Sequence, residues 1–156
     1  MNRMYVLLIS LIVMLCACVP APTANSGEVI YQYVPGQADA MFAGTGAVTL
    51  TAAQRVGLSL VTHFSSQTSI ALGYSNLKFQ SAPETSPGTR DMTFVAQKND
   101  NSNQITSVWR VVDRGSNYVG VYATTATTDT SVNVANIENE AFKSLDGSFK
   151  RISSAR

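Results

Sequence analysis

Three stretches of strand-forming residues, separated by two short polar turns, constrain the fold of this 156-residue chain more than any other feature. Residues 92–98, 105–112 and 118–124 are rich in β-branched and aromatic residues, which favour strands. The linking residues 99–103 and 114–116 are rich in Asn, Asp, Gly and Ser, which are typical of tight turns. Because such short links join only antiparallel neighbours, the sequence predicts an antiparallel meander.

A first amphipathic helix is predicted over residues 52–65. Thr51 and Gln54 have the spacing of a capping box, in which each side chain accepts a hydrogen bond from the backbone N–H of the other residue. Behind this box, apolar residues recur at helical spacing: Ala53, Val56, Leu60 and Phe64. The helix therefore has one apolar stripe to bury.

A second amphipathic helix is predicted over residues 134–145. Asn133 is placed to cap its first turn, Val132 and Ile137 have the spacing of a hydrophobic staple, and Gly147 indicates its end. Its apolar stripe consists of Val134, Ile137, Ala141, Phe142 and Leu145.

Two further strands are predicted, over residues 29–34 and over residues 70–79 with an interruption near Gly73. The element order is then β-α-β-β-β-β-α. We expect residues 28–156 to form a single α+β domain, with an antiparallel sheet of about five strands and both helices packed on one face. A pure β-sandwich is disfavoured because both helices are indicated by cap residues as well as by periodicity.

The beginning of the chain has a different composition. From Met4 to Cys18 every residue except Ser10 is apolar, small or aromatic, and Arg3 gives a positive start. This run of 15 residues is shorter than the roughly 20 that a membrane-spanning helix needs. It has the length of the apolar region of a signal peptide. An uncleaved membrane anchor is the alternative interpretation.

Both cysteines of the chain lie at the end of this run. The segment Leu15-Cys16-Ala17-Cys18 resembles the lipobox of bacterial lipoproteins. The resemblance implies that Cys18 is lipidated and that residues 1–17 are removed as a signal peptide, so that Cys16 is lost with them. The alternative is two free or metal-binding cysteines, but C-x-C lacks the two further ligands that structural zinc requires. The resemblance covers only the first eighteen residues.

Residues 18–27 then form the lipidated amino terminus and a flexible tether, since they contain two prolines and no charge. In Gram-negative lipoproteins, an aspartate after the modified cysteine often retains the protein in the inner membrane. Val19 stands at that position here. The resemblance therefore implies a lipid anchor in the outer membrane and a domain that faces the periplasm; a Gram-positive host would remove this distinction.

The sequence contains no recognisable set of catalytic or metal-ligating residues. His63 is the only histidine, and Ser59, one helical turn before it, has no G-x-S-x-G context. Residues 99–103 lack the glycine and the terminal glutamate of a calcium loop. The 11 basic and 10 acidic side chains are balanced, which gives no electrostatic reason to bind nucleic acid. We expect no enzyme activity, no metal, no small-molecule substrate and no cofactor apart from the covalent lipid.

Aromatic residues in the meander are the best candidates for a binding surface. Trp109, Tyr118 and Tyr122 have polar tips, and such residues anchor many protein interfaces. Arg110 is expected at the polar rim of this surface, and Gly120 leaves room for a flat neighbour between the two tyrosines. The alternative is that these side chains belong to the core or form cross-strand pairs.

These observations favour a lipid-anchored, non-catalytic accessory or assembly component of a cell-envelope complex. Its partners are then the membrane and other envelope proteins, for example of secretion, conjugation, pilus or outer-membrane assembly. A stand-alone binding or inhibitory lipoprotein, or a surface antigen, is the second interpretation. An enzyme is the third and the least favoured.

Overall fold

The computed structural model describes residues 22–36, 50–81, 84 and 86–154. The predicted signal peptide, the lipobox and Cys18 lie outside these residues. Within them the chain forms β1 (Val29–Gln32), α1 (Ala52–Ser65), β2 (Tyr74–Ser81), β3 (Thr89–Lys98), β4 (Gln104–Asp113), β5 (Tyr118–Thr127), α2 (Val134–Asp146) and β6 (Lys150–Ser154). The six strands form one antiparallel sheet in the order β2-β3-β4-β5-β1-β6. The predicted α+β class is confirmed.

The meander of β3, β4 and β5 forms the centre of the sheet, as the short polar links predicted. In its register Met92 pairs with Trp109, and Trp109 pairs with Ala123. The β4–β5 turn places Ser116 at φ 48° and Asn117 at φ 68°. Asn tolerates this left-handed conformation better than most residues, and Asn117 lies directly after the predicted turn of residues 114–116.

Both helices begin at the caps that the sequence indicated. In α1 the Oγ1 of Thr51 accepts from the backbone N–H of Gln54 at 3.2 Å, and the Oε1 of Gln54 accepts from the N–H of Thr51 at 2.8 Å. In α2 the Oδ1 of Asn133 accepts from the N–H of Asn136 at 3.2 Å. Both helices pack on the same side of the sheet.

The sheet has six strands rather than the expected five, because β6 was not predicted. This strand is short and half polar, and it pairs only with β1, at the edge of the sheet. A hydrogen-bonded cluster holds it: Arg151 Nε donates to Asp146 Oδ1 at 2.7 Å, and Arg151 Nη2 donates to Tyr31 Oη at 3.1 Å. The element order is therefore β-α-β-β-β-β-α-β.

The hydrophobic core lies between the sheet and the two helices, on what we call the covered face of the sheet. The Phe64 ring from α1 stacks on Phe94 of β3 at 4.2 Å between ring centroids. Trp109 of β4 lies beneath both helices, with its ring 5.9 Å from Phe64 and 5.0 Å from Phe142 of α2. Alternate residues of the same strands point away from the helices and form the open face.

Candidate functional site

The open face carries a shallow depression of about 640 Å³ across β3, β4 and β5. No helix of the described residues covers it. Side chains from alternate positions of the three strands line it, among them Asp91, Val108, Arg110, Val112, Tyr122 and Thr124. The surface therefore combines small apolar groups with one acidic, one basic and one phenolic side chain.

An exposed ion pair lies in this depression. Arg110 donates from Nε to Asp91 Oδ1 at 2.7 Å and from Nη2 to Asp91 Oδ2 at 2.8 Å, in a two-pronged arrangement. These hydrogen bonds hold the pKa of the Asp91 carboxyl below its usual range. Because the Arg110 side chain is 53% exposed, its charge is well solvated. The pair fixes the geometry of the two groups and leaves this part of the face neutral.

A second arginine pair, at the end of the open face near β1, is buried instead. The Glu28 side chain is 0% exposed. Arg114 donates to Glu28 Oε1 from Nε at 2.9 Å and from Nη2 at 2.6 Å, and Nη2 also reaches Oε2 at 2.8 Å. The hydrogen bonds to Glu28 raise the pKa of the Arg114 guanidinium. A buried carboxylate needs such a partner, so Glu28 and Arg114 depend on each other.

Gly120 makes room for this buried carboxylate. A Cβ added at Gly120 would lie 1.8 Å from Glu28 Oε1 and 2.8 Å from Glu28 Cδ. Any side chain at this position would displace the carboxylate. The flat neighbour that the sequence placed against Gly120 is therefore the carboxylate of Glu28.

The segment before β1 is attached to the same place. The backbone N–H of Glu28 donates to the carbonyl of Asn25 at 2.9 Å, which closes a turn with Gly27 at φ 76°. Asn25 donates from its backbone N–H to Glu28 Oε2 at 2.8 Å and from Nδ2 to Tyr122 Oη at 3.3 Å. We call Asn25, Glu28, Arg114 and Tyr122 the N-terminal clamp. These hydrogen bonds hold Asn25, which lies inside the stretch 18–27 predicted as a tether, against the domain.

The predicted binding residues divide between the two faces of the sheet. Arg110, Tyr118 and Tyr122 lie on the open face. Trp109 is 0% exposed on the covered face, where its Nε1 donates to Ser107 Oγ at 2.8 Å. Trp109 is thus removed from the predicted binding surface, because adjacent residues of a strand point to opposite faces.

Besides the Arg151 cluster at β6, two further polar clusters were not identified from the sequence. One is the N-terminal clamp, and the other surrounds Asp129 between β5 and α2. Asp129 Oδ2 accepts from Lys98 Nζ at 2.8 Å and from Tyr74 Oη at 2.9 Å. The Lys98 contact is the largest of several that lower the pKa of the Asp129 carboxyl. This cluster joins the loop before α2 to β2 and β3.

His63, the single histidine of the sequence, lies in surroundings that indicate a structural role. His63 lies in the last turn of α1, where burial lowers its pKa, and its Nε2 is 3.0 Å from Gln67 Nε2. Ser59 is 2% exposed beneath the helix. In residues 22–36, 50–81, 84 and 86–154, no three His, Cys, Asp or Glu side chains are grouped so that they could hold a metal ion.

Neither α1 nor α2, the helices of the described part of the chain, has the length and apolarity needed to cross a bilayer. Comparison with protein-family models, curated proteins and solved structures found no match to this chain. The functional argument therefore depends on the residues themselves.

Proposed function

We propose that this chain is the precursor of a bacterial lipoprotein that is anchored in the outer membrane through Cys18 and faces the periplasm. The mature protein acts as a non-catalytic accessory or assembly component of a cell-envelope complex. The observation that carries this proposal is the lipobox Leu15-Cys16-Ala17-Cys18 at the end of a short apolar run. Two or more acyl chains on one residue give stable membrane attachment, which a single chain does not.

The arrangement of the domain supports a binding role. Its sheet buries one face under two helices and presents the other, where Arg110 and Tyr122 are accessible beside small apolar groups. Arginine and tyrosine are enriched at the energetic centres of protein interfaces. A tethered domain with such a face is suited to contact a surface that is held close to its anchor.

Lipidation is tested by expressing the full chain with labelled fatty acid and measuring the intact mass. We expect a lipidated product that begins at residue 18. Cys18→Ser removes the thiol that accepts the lipid, so both the label and the lipoprotein-type cleavage should be lost. Cys16→Ser is the matched control and should behave as wild type. Retention of label by Cys18→Ser, or its loss in Cys16→Ser, would show that the lipobox is assigned wrongly.

The accessory role is tested by purifying the acylated protein from membranes that are solubilised in mild detergent at native expression. We expect other envelope proteins to be recovered in fixed proportion to it. Recovery of the protein alone would favour the stand-alone binding or inhibitory lipoprotein over a part of a complex.

A further inference from the structure

We propose that the N-terminal clamp orients the domain on the membrane, so that the open face of the sheet lies against the lipid surface. This inference rests on the proposed lipidation of Cys18. It adds to that proposal the surface of the domain that faces the membrane, the phospholipid headgroups that this surface contacts, and the clamp that sets the orientation.

The clamp fixes the point at which the tether leaves the domain. Asn25 is held by two hydrogen bonds, one to the buried Glu28 carboxylate and one to the phenol of Tyr122. Arg114 locks Glu28 in turn, since it donates to both carboxylate oxygens. Tyr122 lines the depression on the open face. Asn25 is therefore held on this face and not on the helical side.

The reach of the tether is short compared with the domain. Asn25 lies seven residues after Cys18, and an extended chain spans at most about 3.6 Å per residue, which gives about 25 Å. A compact domain of this length has a diameter of roughly 35 Å. A tether that leaves from the open face is thus too short to pass round the domain and present the helices to the lipid.

The charges of the open face are compatible with phospholipid headgroups. Its two carboxylates, Asp91 and Glu28, are both neutralised by arginines, so neither presents an unpaired negative charge to lipid phosphates. Tyr118 and Tyr122 are amphipathic, and such side chains suit the boundary between water and hydrocarbon.

The orientation is measured with a fluorescent label on one introduced thiol. With Cys18 acylated and Cys16 removed, an introduced cysteine is the only free thiol of the mature chain. Thr124→Cys labels the open face, and Asn139→Cys, on the helical side, is the matched control; both replace exposed, uncharged residues. The full-length acylated protein is placed on vesicles of phosphatidylethanolamine and phosphatidylglycerol that contain lipids with a nitroxide on the headgroup.

We expect quenching to be several-fold stronger at position 124 than at position 139. Equal quenching, or stronger quenching at position 139, would overturn the proposed orientation. The intact mass of the same sample separates the two proposals. A sample without lipid contradicts the proposed lipoprotein, whereas a lipidated sample with equal quenching contradicts only the orientation.

The role of the clamp is tested by loosening it in the labelled proteins. Asn25→Ala with Tyr122→Phe removes the bond between the tether and the open face but keeps the aromatic ring. Arg114→Met releases Glu28 as well, and circular dichroism establishes whether that variant is folded. We expect the difference in quenching between the two positions to shrink in both variants while the lipid mass is unchanged. An unchanged difference in the Asn25→Ala, Tyr122→Phe protein would contradict a clamp that sets the orientation.

Discussion

The two faces of the sheet are made by alternate residues of the same strands, yet they are organised by different forces. On the covered face, aromatic rings from β3, β4 and both helices lie 4.2 to 5.9 Å apart between centroids. On the open face, the dominant contacts are two arginine–carboxylate pairs. Burial of apolar surface therefore stabilises one side, while the other side is ordered by directional polar contacts.

The open face itself contains a second contrast, because its two arginine pairs differ in burial. Asp91 is 19% exposed and its partner Arg110 is 53% exposed. Glu28 is fully buried and its partner Arg114 is 27% exposed. The same chemistry thus has two consequences: one pair is a solvated surface feature, and the other holds the N-terminal segment in place.

The largest expected effect contrasts adjacent residues on the two faces. Trp109→Ala should lower the free energy of unfolding by about 4 kcal/mol, because it empties a core site between Phe64 and Phe142. Val108→Ala, one residue away on the open face, should cost about 1 kcal/mol or less. Urea denaturation of the soluble domain measures both values. Equal losses would mean that the open face is packed as tightly as the core, and the distinction between the faces would fail.

The next effect contrasts the two arginines. Arg114→Met should cost about 3 kcal/mol, near the lower limit for breaking a buried pair, since it leaves the Glu28 carboxylate without its partner. Arg110→Met removes an exposed pair and should cost at most about 1 kcal/mol. Both unfolding free energies come from the same denaturation assay. A larger loss for Arg110→Met than for Arg114→Met would contradict the difference in burial between the pairs.

The smallest effect contrasts two glycines. Gly120→Ala should cost about 1–2 kcal/mol, because the new Cβ displaces the Glu28 carboxylate. Gly57, inside α1, has only an ordinary contact at this position, 3.5 Å from Met92 Sδ. Gly57→Ala should therefore raise stability by about 0.5–1 kcal/mol through helix propensity. Thermal unfolding gives the sign of each change, and a stabilised Gly120→Ala protein would show that Glu28 is free to move.

Local signals in the sequence were sufficient for the helices and the meander. The capping box at Thr51 and Gln54 and the cap at Asn133 act within one helical turn, so the residues that form them are adjacent in the sequence. The turns of the meander are likewise set by residues next to the strands they join. These elements could be predicted because their determinants are short-range.

The features that the sequence analysis did not predict depend on contacts between residues that are far apart in the chain. β6 contains the short sequence Lys-Arg-Ile-Ser-Ser, whose strand conformation depends on pairing with β1 at the other end of the chain. The clamp joins Glu28 to Arg114 and Asn25 to Tyr122, contacts that no local pattern encodes. In the sequence, only Gly120 indicated the clamp, because it was expected to leave room for a flat neighbour.

Trp109 was grouped with Arg110 although strand alternation separates neighbouring residues. The alternation of residues along β4 would have separated Trp109 from Arg110. Ile105, Trp109 and Val111 share one face, and Thr106, Val108 and Arg110 share the other. β-branched residues, valines among them, occur on both faces, so hydrophobicity alone does not identify the buried face of β4. The position of Arg110, the one arginine of the strand, does identify it, because a charged side chain favours the exposed face.

The position of β1 has a consequence for the order in which the sheet is assembled. Val29 pairs with Val121 on one side and with Ser154 on the other, so the first strand of the described residues has the last two strands as its neighbours. Strands β2, β3, β4 and β5 each pair with the next strand along the chain, and these contacts between nearby residues can form as soon as the turns close. The pairing of β1 with β5 and β6 instead brings together residues that are far apart in the sequence. In a chain that emerges amino terminus first, β1 thus remains an unpaired apolar segment until β5 is available, and its second edge is paired only after residues 150–154 have followed.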